Sequence, residues 1–231
     1  MNILALDTSM GACSAAVLRR EGNASRLFVR QEAMARGHAE SLMPMVEGVM
    51  AEAGLPFTEI DLIAATFGPG SFTGVRIAIA AARGLALVTH AKLYGTDSLT
   101  VMAKAALAIG VLAEGPFAVA VDARRGMLYL GLYDAAGRRI VGPLLIAPDE
   151  AVALLPGDLV VAVGSGAALL AEAAERCRRS LQAKLPELQP SAASLAEIAL
   201  EAGETVPILR PLYLRPPDAK PQAQMMATRH P

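Results

Sequence analysis

Tryptophan is absent from this 231-residue chain, aromatic residues make up only 4%, and there are just two cysteines, Cys13 and Cys177, and three histidines, His38, His90 and His230. Two cysteines so far apart give no disulfide framework, and without a CxxC pair or two closely spaced histidines there is no zinc signature. The G-x-S-x-G elbow of serine hydrolases is missing as well. Neither sign of charge dominates: 21 Lys and Arg stand against 22 Asp and Glu. That balance argues against a chain that grips nucleic acid through its own strong field. The longest apolar run, Ile77 to Val88, is broken by Arg83, and the N-terminus reaches Asp7 with no basic region before it. Neither a membrane span nor an export signal is expected, and a reducing cytoplasm is the expected compartment. What the chain does have is 54% hydrophobic residues. That is enough for one large domain or two small lobes.

The order of patterns favours two lobes. ALDTSMGACSAAVL (Ala5 to Leu18) lies without a gap on AVDARRGMLYLGLY (Ala120 to Tyr133), placing Asp7 on Asp122 and Gly11 on Gly126. Each copy reads as a buried strand ending in an acid, a tight turn and a second β-rich strand. A third strand follows in each half, Ser25 to Gln31 and Arg139 to Ala147. Helix, strand, glycine loop and helix come next. In the first half the helix begins at His38, carries Leu42, Met45, Val46, Val49, Met50 and Ala53 at helical spacing, and stops at Gly54. The strand DLIAATFG then enters GPGSFTG and a long apolar helix from Val75 to Val88. In the second half Pro148 to Leu155 is the helix, LVVAVGSG (Leu159 to Gly166) the strand and loop, and AALLAEAAERCRR the last helix. The expected fold class is therefore α/β, with residues 1–108 as an N-terminal lobe, 109–215 as a C-terminal lobe, and the basic, proline-rich 216–231 as a disordered tail.

Duplicated β-β-β-α-β-α lobes resemble the actin, sugar kinase and Hsp70 superfamily, whose members hold a nucleotide between the lobes. The words NILALDTS, GHAESLMP at His38, FGPGSFTGVRIA at Phe67, VDARRGMLYLGLY at Val121 and LYLRPP at Leu212 narrow this. Together they resemble the TsaB (YeaZ) family over nearly the whole chain. The resemblance implies a non-catalytic subunit that works with a TsaD-like catalytic partner and a TsaE-like ATPase. That assembly transfers threonylcarbamoyl to N6 of the adenosine just 3′ of the anticodon in tRNA. It also implies a homodimer when the chain is alone, contact with tRNA only through the complex, and no cofactor of its own, with ATP or ADP acting at the level of the complex. The His-x-x-x-His pair that binds metal in TsaD has no counterpart here: Tyr94 to Lys104, YGTDSLTVMAK, contains no histidine. No catalytic residue and no metal ligand are expected. The alternative class is an ATP-dependent phosphotransferase or hydrolase of the same superfamily.

Two sites remain candidates. Asp7, Thr8 and Ser9 with Gly68, Gly70, Ser71, Thr73 and Gly74 offer a phosphate-binding hairpin and a glycine turn feeding a helix N-terminus. The same loop also reads as a tight connection in which Ser71 or Thr73 caps the helix, the reading favoured because no lysine occurs before Lys92. The second candidate is a partner surface on the first-lobe helices. The methionines of the helix beginning near His38, Met43, Met45 and Met50, with Met34 just before it, suit adaptable contacts, although plain core packing is the commoner origin of such a stripe. Arg76 and Arg83, seven residues apart, share a face. In the family, as the resemblance implies, these helices meet TsaD or a second copy, so His38, Leu42, Met45, Val46, Val49, Met50, Val75, Arg76, Ile79 and Arg83 are the expected contact residues.

Overall fold

In the computed structural model, residues 1–110 and 114–215 are described. The first half forms strands β1 (Asn2–Asp7), β2 (Ala12–Glu21) and β3 (Ala24–Ala33), helix α1 (His38–Ala53), strand β4 (Leu62–Thr66), helix α2 (Phe72–Thr89), strand β5 (Lys92–Thr96) and helix α3 (Ser98–Ile109). The second forms β6 (Phe117–Asp122), β7 (Leu128–Tyr133), β8 (Arg139–Ile146), α4 (Pro148–Leu154), β9 (Val161–Val163), α5 (Ala167–Arg176), β10 (Gln182–Lys184) and α6 (Ala192–Ala202). The sheet orders, β3-β2-β1-β4-β5 and β8-β7-β6-β9-β10, are the same plan twice. In each sheet the first three strands pair antiparallel and the last two join in parallel. α1 ends where the sequence predicts, because Gly54 takes the left-handed φ of 62° that a helix stop requires.

Alternation along β1 and β2 explains why both faces of the first sheet are apolar. Leu4, Leu6, Cys13, Ala15 and Val17 face α1 and α2, whereas Ile3, Ala5, Ala16 and Leu18 face α6. In the second sheet Ala118, Ala120, Leu128, Leu130 and Leu132 meet α4 and α5, and Phe117, Val119, Val121 and Tyr133 meet α3. The halves thus exchange a helix: α3 covers the second sheet and α6 returns to cover the first. α3 and α6 lie against each other between the sheets, joined by Lys104 Nζ to Glu201 at 2.7 Å.

This exchange corrects the expected lobe boundaries. A division near residue 108 does separate the two sheets, but residues 192–209 pack on the first sheet rather than the second. After α6, Val206 N donates to Leu93 O on β5, and Leu209 is buried among the α1 and α2 side chains. The expectation for residues 216–231 lies outside the described residues.

The gapless superposition of the hairpins is also corrected, by one residue. Asp7 opposes Ser14, but Asp122 opposes Leu128, so the second hairpin is a residue shorter. On the α3 side of its sheet β6 ends in Val121, where β1 carries Asp7 on the corresponding inner side. The second lobe has no buried acid at that position.

Candidate functional site

The glycine loop and the first hairpin are brought together, and they are locked onto each other. Asp7, Thr8 and Ser9 have no exposed surface. Asp7 Oδ2 accepts from Ser9 Oγ at 2.9 Å and from Thr66 Oγ1, and Oδ1 accepts from Ser9 N at 3.2 Å. Ser98 Oγ, at the start of α3, donates to Ser9 Oγ at 3.0 Å. Thr8 Oγ1 donates to Gly74 O at 2.6 Å and accepts from Ala78 N at 3.1 Å, stitching β1 to α2. On the loop side, Ser71 N donates to Ser9 O at 2.7 Å, and Ser71 Oγ caps α2 by accepting from Gly74 N at 3.2 Å.

The glycines are needed for this approach. A Cβ on Gly70 would lie 2.2 Å from Ser9 O, and one on Gly74 would lie 2.0 Å from Thr8 O. The second lobe repeats the arrangement: a Cβ on Gly164 would lie 2.6 Å from Ala120 O, and one on Gly166 would lie 2.8 Å from the Val121 carbonyl carbon. Gly68 is covered from outside by the C-terminal segment, where Leu212 N donates to Phe67 O at 2.7 Å. Of the two readings of the loop, its geometry matches a tight connection capped by Ser71. Thr73 is exposed and makes no cap.

Burial pushes the Asp7 carboxyl up to about 6, against the lowering effect of the Thr66 and Ser9 hydrogen bonds and the charge of His38. A carboxyl whose folded pKa exceeds its unfolded 3.8 costs nothing below pH 3.8, where both states are protonated. It destabilises increasingly as pH rises toward 6, because the unfolded chain ionises first. A shift of this size is worth about 3 kcal/mol at most. The stability of Asp7→Asn relative to wild type should therefore shift in the variant's favour by up to about 3 kcal/mol between pH 4 and pH 7. Chemical denaturation of both proteins across that range is the measurement. A difference that stays flat with pH would show that Asp7 ionises normally.

The candidate partner residues divide into two groups. Leu42, Met45, Val46, Val49, Met50, Val75 and Ile79 are buried in the first lobe's own core, packed on β1, β2 and β4. The expected partner surface is corrected here: the apolar stripe of α1 is already covered, by the sheet. Arg76 and Arg83 do face outward, on a stripe of α2 made of Phe72, Arg76, Ala80, Arg83, Gly84, Leu87 and Val88. Phe72 is 50% exposed, Leu87 78% and Val88 71%. The spacing of 72, 76, 80, 83 and 87 is visible in the sequence, on the side of the helix opposite Val75, Ala78 and Ala82. By length and composition α2 passes for a membrane span, yet it is a layer helix of the first lobe and carries both arginines.

Around this stripe the chain end is pinned. The Arg76 guanidinium carbon stands 3.6 Å over the centre of the Phe72 ring, and its Nε donates to Tyr213 Oη at 2.6 Å. The Tyr213 ring stacks on Phe72 at 5.3 Å. On α1, Met43 and Glu47 point outward. His38 is half-buried, and its Nε2 lies 3.0 Å from Met10 O, tying the start of α1 to the first hairpin. α3 begins on an Asp97 cap that also meets Arg139 Nη1 at 2.5 Å, a link between the halves. Among the described residues no group of three or more His, Cys, Asp or Glu is placed to hold a metal ion.

Two sheets of identical order, each receiving a glycine loop against its first hairpin and exchanging a helix between them, define a two-lobed protein of the actin-like fold. The hexokinase of the ROK class from Thermus thermophilus shares this fold, with a TM-score of 0.50 over 87% of this chain and all of that one at 16% identity. A family model described as TsaD, tRNA N6-adenosine threonylcarbamoyltransferase, matches residues 29–206. The tRNA threonylcarbamoyladenosine biosynthesis protein TsaB of Haemophilus influenzae is 32% identical over 228 residues, 93% of this chain and 94% of that protein. The structure of YeaZ from Pseudomonas aeruginosa superposes with a TM-score of 0.78 at 32% identity, covering 92% of this chain and all of that one. The chain belongs to the TsaB (YeaZ) family of tRNA threonylcarbamoyladenosine biosynthesis proteins.

Proposed function

We propose that the chain is a scaffold subunit, inactive alone, that joins a TsaD-like catalytic subunit and a TsaE-like ATPase in the cytoplasm to support threonylcarbamoylation of tRNA adenosine. The observation that carries this is the outward stripe of α2. Phe72, Leu87 and Val88 are large apolar side chains left exposed by the described chain, interleaved with Arg76 and Arg83. Aromatic and arginine residues on an exposed apolar stripe have the composition of a protein contact. Beside it runs a groove of about 760 Å³ lined by Arg83, Leu87, Lys92, Val206 and Ile208 among others. The partner meets this face and the outer side of α1 at Met43, and a second copy takes the same face when the partner is absent. The family model that matches most of the chain describes a protein of the partner's kind. Two related folds meeting through matching helices is an arrangement close to that of a homodimer.

The alternative reading, a phosphotransferase or hydrolase, would need Asp7, Thr8 and Ser9 to reach a nucleotide, and these are occupied within the fold. On this reading no nucleotide of the chain's own is bound between the lobes, and ATP is used by the complex.

The test is Leu87→Asp. At a position this exposed the change should alter stability by no more than about 0.5 kcal/mol. In a desolvated contact an unpaired carboxylate should weaken association by about 3 kcal/mol or more, over a hundredfold in affinity. Sedimentation and co-purification with the TsaD-like subunit measure both. A variant that melts and assembles as wild type would place the contact elsewhere and end this reading of α2.

A further inference from the structure

Among the described residues the two sheets end on β3, β5, β8 and β10, and all but β3 are closed or interrupted. β5 is bridged by the chain end, where Val206 N donates to Leu93 O. β10 is only three residues long. β8 carries Pro143 at mid-strand, and its register against β7 shifts between Leu130 and Tyr133. β3 has none of these devices. It runs for ten residues without a proline, pairs with β2 in unbroken register from Ala24 to Ala33, and every residue but Phe28 is exposed. A bare edge of this length is a template for another strand.

The backbone groups of β3 divide by parity. Met34 N donates to Gly11 O directly after the strand. In an antiparallel ladder such bonds return at every second residue, so the even-numbered residues bond to β2, and Ser25, Leu27, Val29, Gln31 and Ala33 turn N–H and C=O outward. The side chains of these residues lie on the α6 side of the sheet, in register with Leu18 and Ala16 of β2. α6 leaves Leu27 40% exposed and Val29 39%. On the α1 side, Arg30 is held by Glu52 of α1 at 2.5 Å, while Arg26 and Glu32 stand exposed towards opposite ends of the strand.

We propose that β3 pairs antiparallel with β3 of a second copy about a two-fold axis at Val29, joining the two first-lobe sheets into one. The charge pattern selects this register. With Val29 opposite Val29 of the second copy, Arg26 stands opposite Glu32 at both ends, Leu27 stands opposite Gln31, and the outward N–H and C=O groups of the strand all find partners. Centring the pair on Phe28 instead sets Arg26 against Arg30, and centring it on Arg30 sets that arginine against its own copy. α1 lies mainly over β2, and α2 packs on β4, three strands from β3, so neither helix closes the edge. The contact is separate from the α2 face and does not depend on the scaffold reading. It can form while a catalytic partner sits on α2, which gives a two-fold complex holding two copies of each subunit.

The experiment starts from the full chain carrying Leu87→Asp, so that self-association is read without the α2 contact. Sedimentation should still show a dimer. Adding Val29→Pro, which deletes an outward N–H and no bond to β2, should leave a folded monomer by circular dichroism. Adding Glu32→Arg instead sets arginine against Arg26 at both ends of the pair and should raise the dimer dissociation constant about tenfold or more. Combining it with Arg26→Glu restores opposite charges and should restore the dimer, which a defect in folding would not allow. Should Val29→Pro fail to fold, the charge swap decides alone. With Leu87 intact, the complex with the TsaD-like subunit should hold two copies of each chain, and its Glu32→Arg form should dissociate into pairs of one and one. A monomeric Leu87→Asp chain, a dimer that survives Val29→Pro, or one indifferent to the charge swap would overturn the strand pairing and leave the α2 reading standing. A wild-type chain that never binds the TsaD-like subunit would end the scaffold reading, while a Leu87→Asp dimer that answers to the charge swap would still uphold the pairing.

Discussion

Gly74→Ala should lower the melting temperature by roughly 10 °C, the shift expected for a destabilisation of about 3 kcal/mol in a chain of this size. The added methyl group would sit 2.0 Å from the Thr8 carbonyl oxygen, and that carbonyl belongs to a backbone that cannot swing aside. Thr8 is fixed by two hydrogen bonds to α2, at Gly74 O and Ala78 N. Relieving the clash means moving the whole N-terminal turn of α2 away from β1, and with it Ser71, whose N–H is bonded to Ser9 O. Overpacking of this kind usually costs about 1–3 kcal/mol, and the rigidity of both partners puts Gly74 at the upper end. The neighbouring Thr73→Ala, on an exposed side chain, should change stability by less than about 0.5 kcal/mol and serves as control. A Gly74→Ala protein that melts with wild type, assembles, and loses only affinity for added nucleotide would restore the phosphate-loop reading.

Val49→Asp should prevent folding altogether. Val49 is 0% exposed and lies in the layer between α1 and the first sheet, among Val17, Val46 and Ala53. A carboxylate placed in this apolar layer is an uncompensated buried charge, which costs about 3–5 kcal/mol, in addition to the apolar packing that the valine side chain supplies. Against a total stability of about 5–15 kcal/mol this is decisive in a small lobe. Met43→Asp, on the outer side of the same helix, should fold normally. Circular dichroism and thermal melting of the pair provide the comparison. A folded Val49→Asp monomer deficient only in assembly would return the buried stripe to the partner surface.

Spacing of three and four along α1 and α2 announces that a helix face is covered, and both faces are. The same spacing cannot say whether a sheet of the same chain or another molecule does the covering, because both present the same aliphatic surface. Here the sheet is formed by strands that alternate apolar residues on both faces, so it claims α1 and α2 on one side and α6 on the other. The exposed stripe of α2 is legible only as what that sheet leaves over.

Similar limits apply to the hairpins and to Asp7. The duplicated order of strands and helices, the glycine loops and the stop at Gly54 are all readable, since each depends on local conformational preference. The one-residue shortening of the second hairpin is not. A strand of Val, Ala, Leu and Tyr reads as well in either register when both faces are buried. Nor can the sequence show that Asp7 is saturated by Thr66, with Ser98 bonded in turn to Ser9, because those partners arrive from β4 and α3 only after the sheet has formed.

The exchange of α3 and α6 also sets the order in which the molecule can be completed as it leaves the ribosome. All five strands of the first sheet have emerged by Thr96, yet the face bearing Ile3, Ala5, Ala16 and Leu18, touched by Val101 of α3, lacks most of its cover until Ala192 to Ala199 arrive. A long further stretch of synthesis intervenes, during which a nascent chain carries an apolar sheet face open to solvent. Such surfaces recruit holding chaperones or stray neighbours, and closure across so long a loop is slow. The first lobe is begun by the start of the chain and finished by its end, so the two halves mature as one unit despite their duplicated plan.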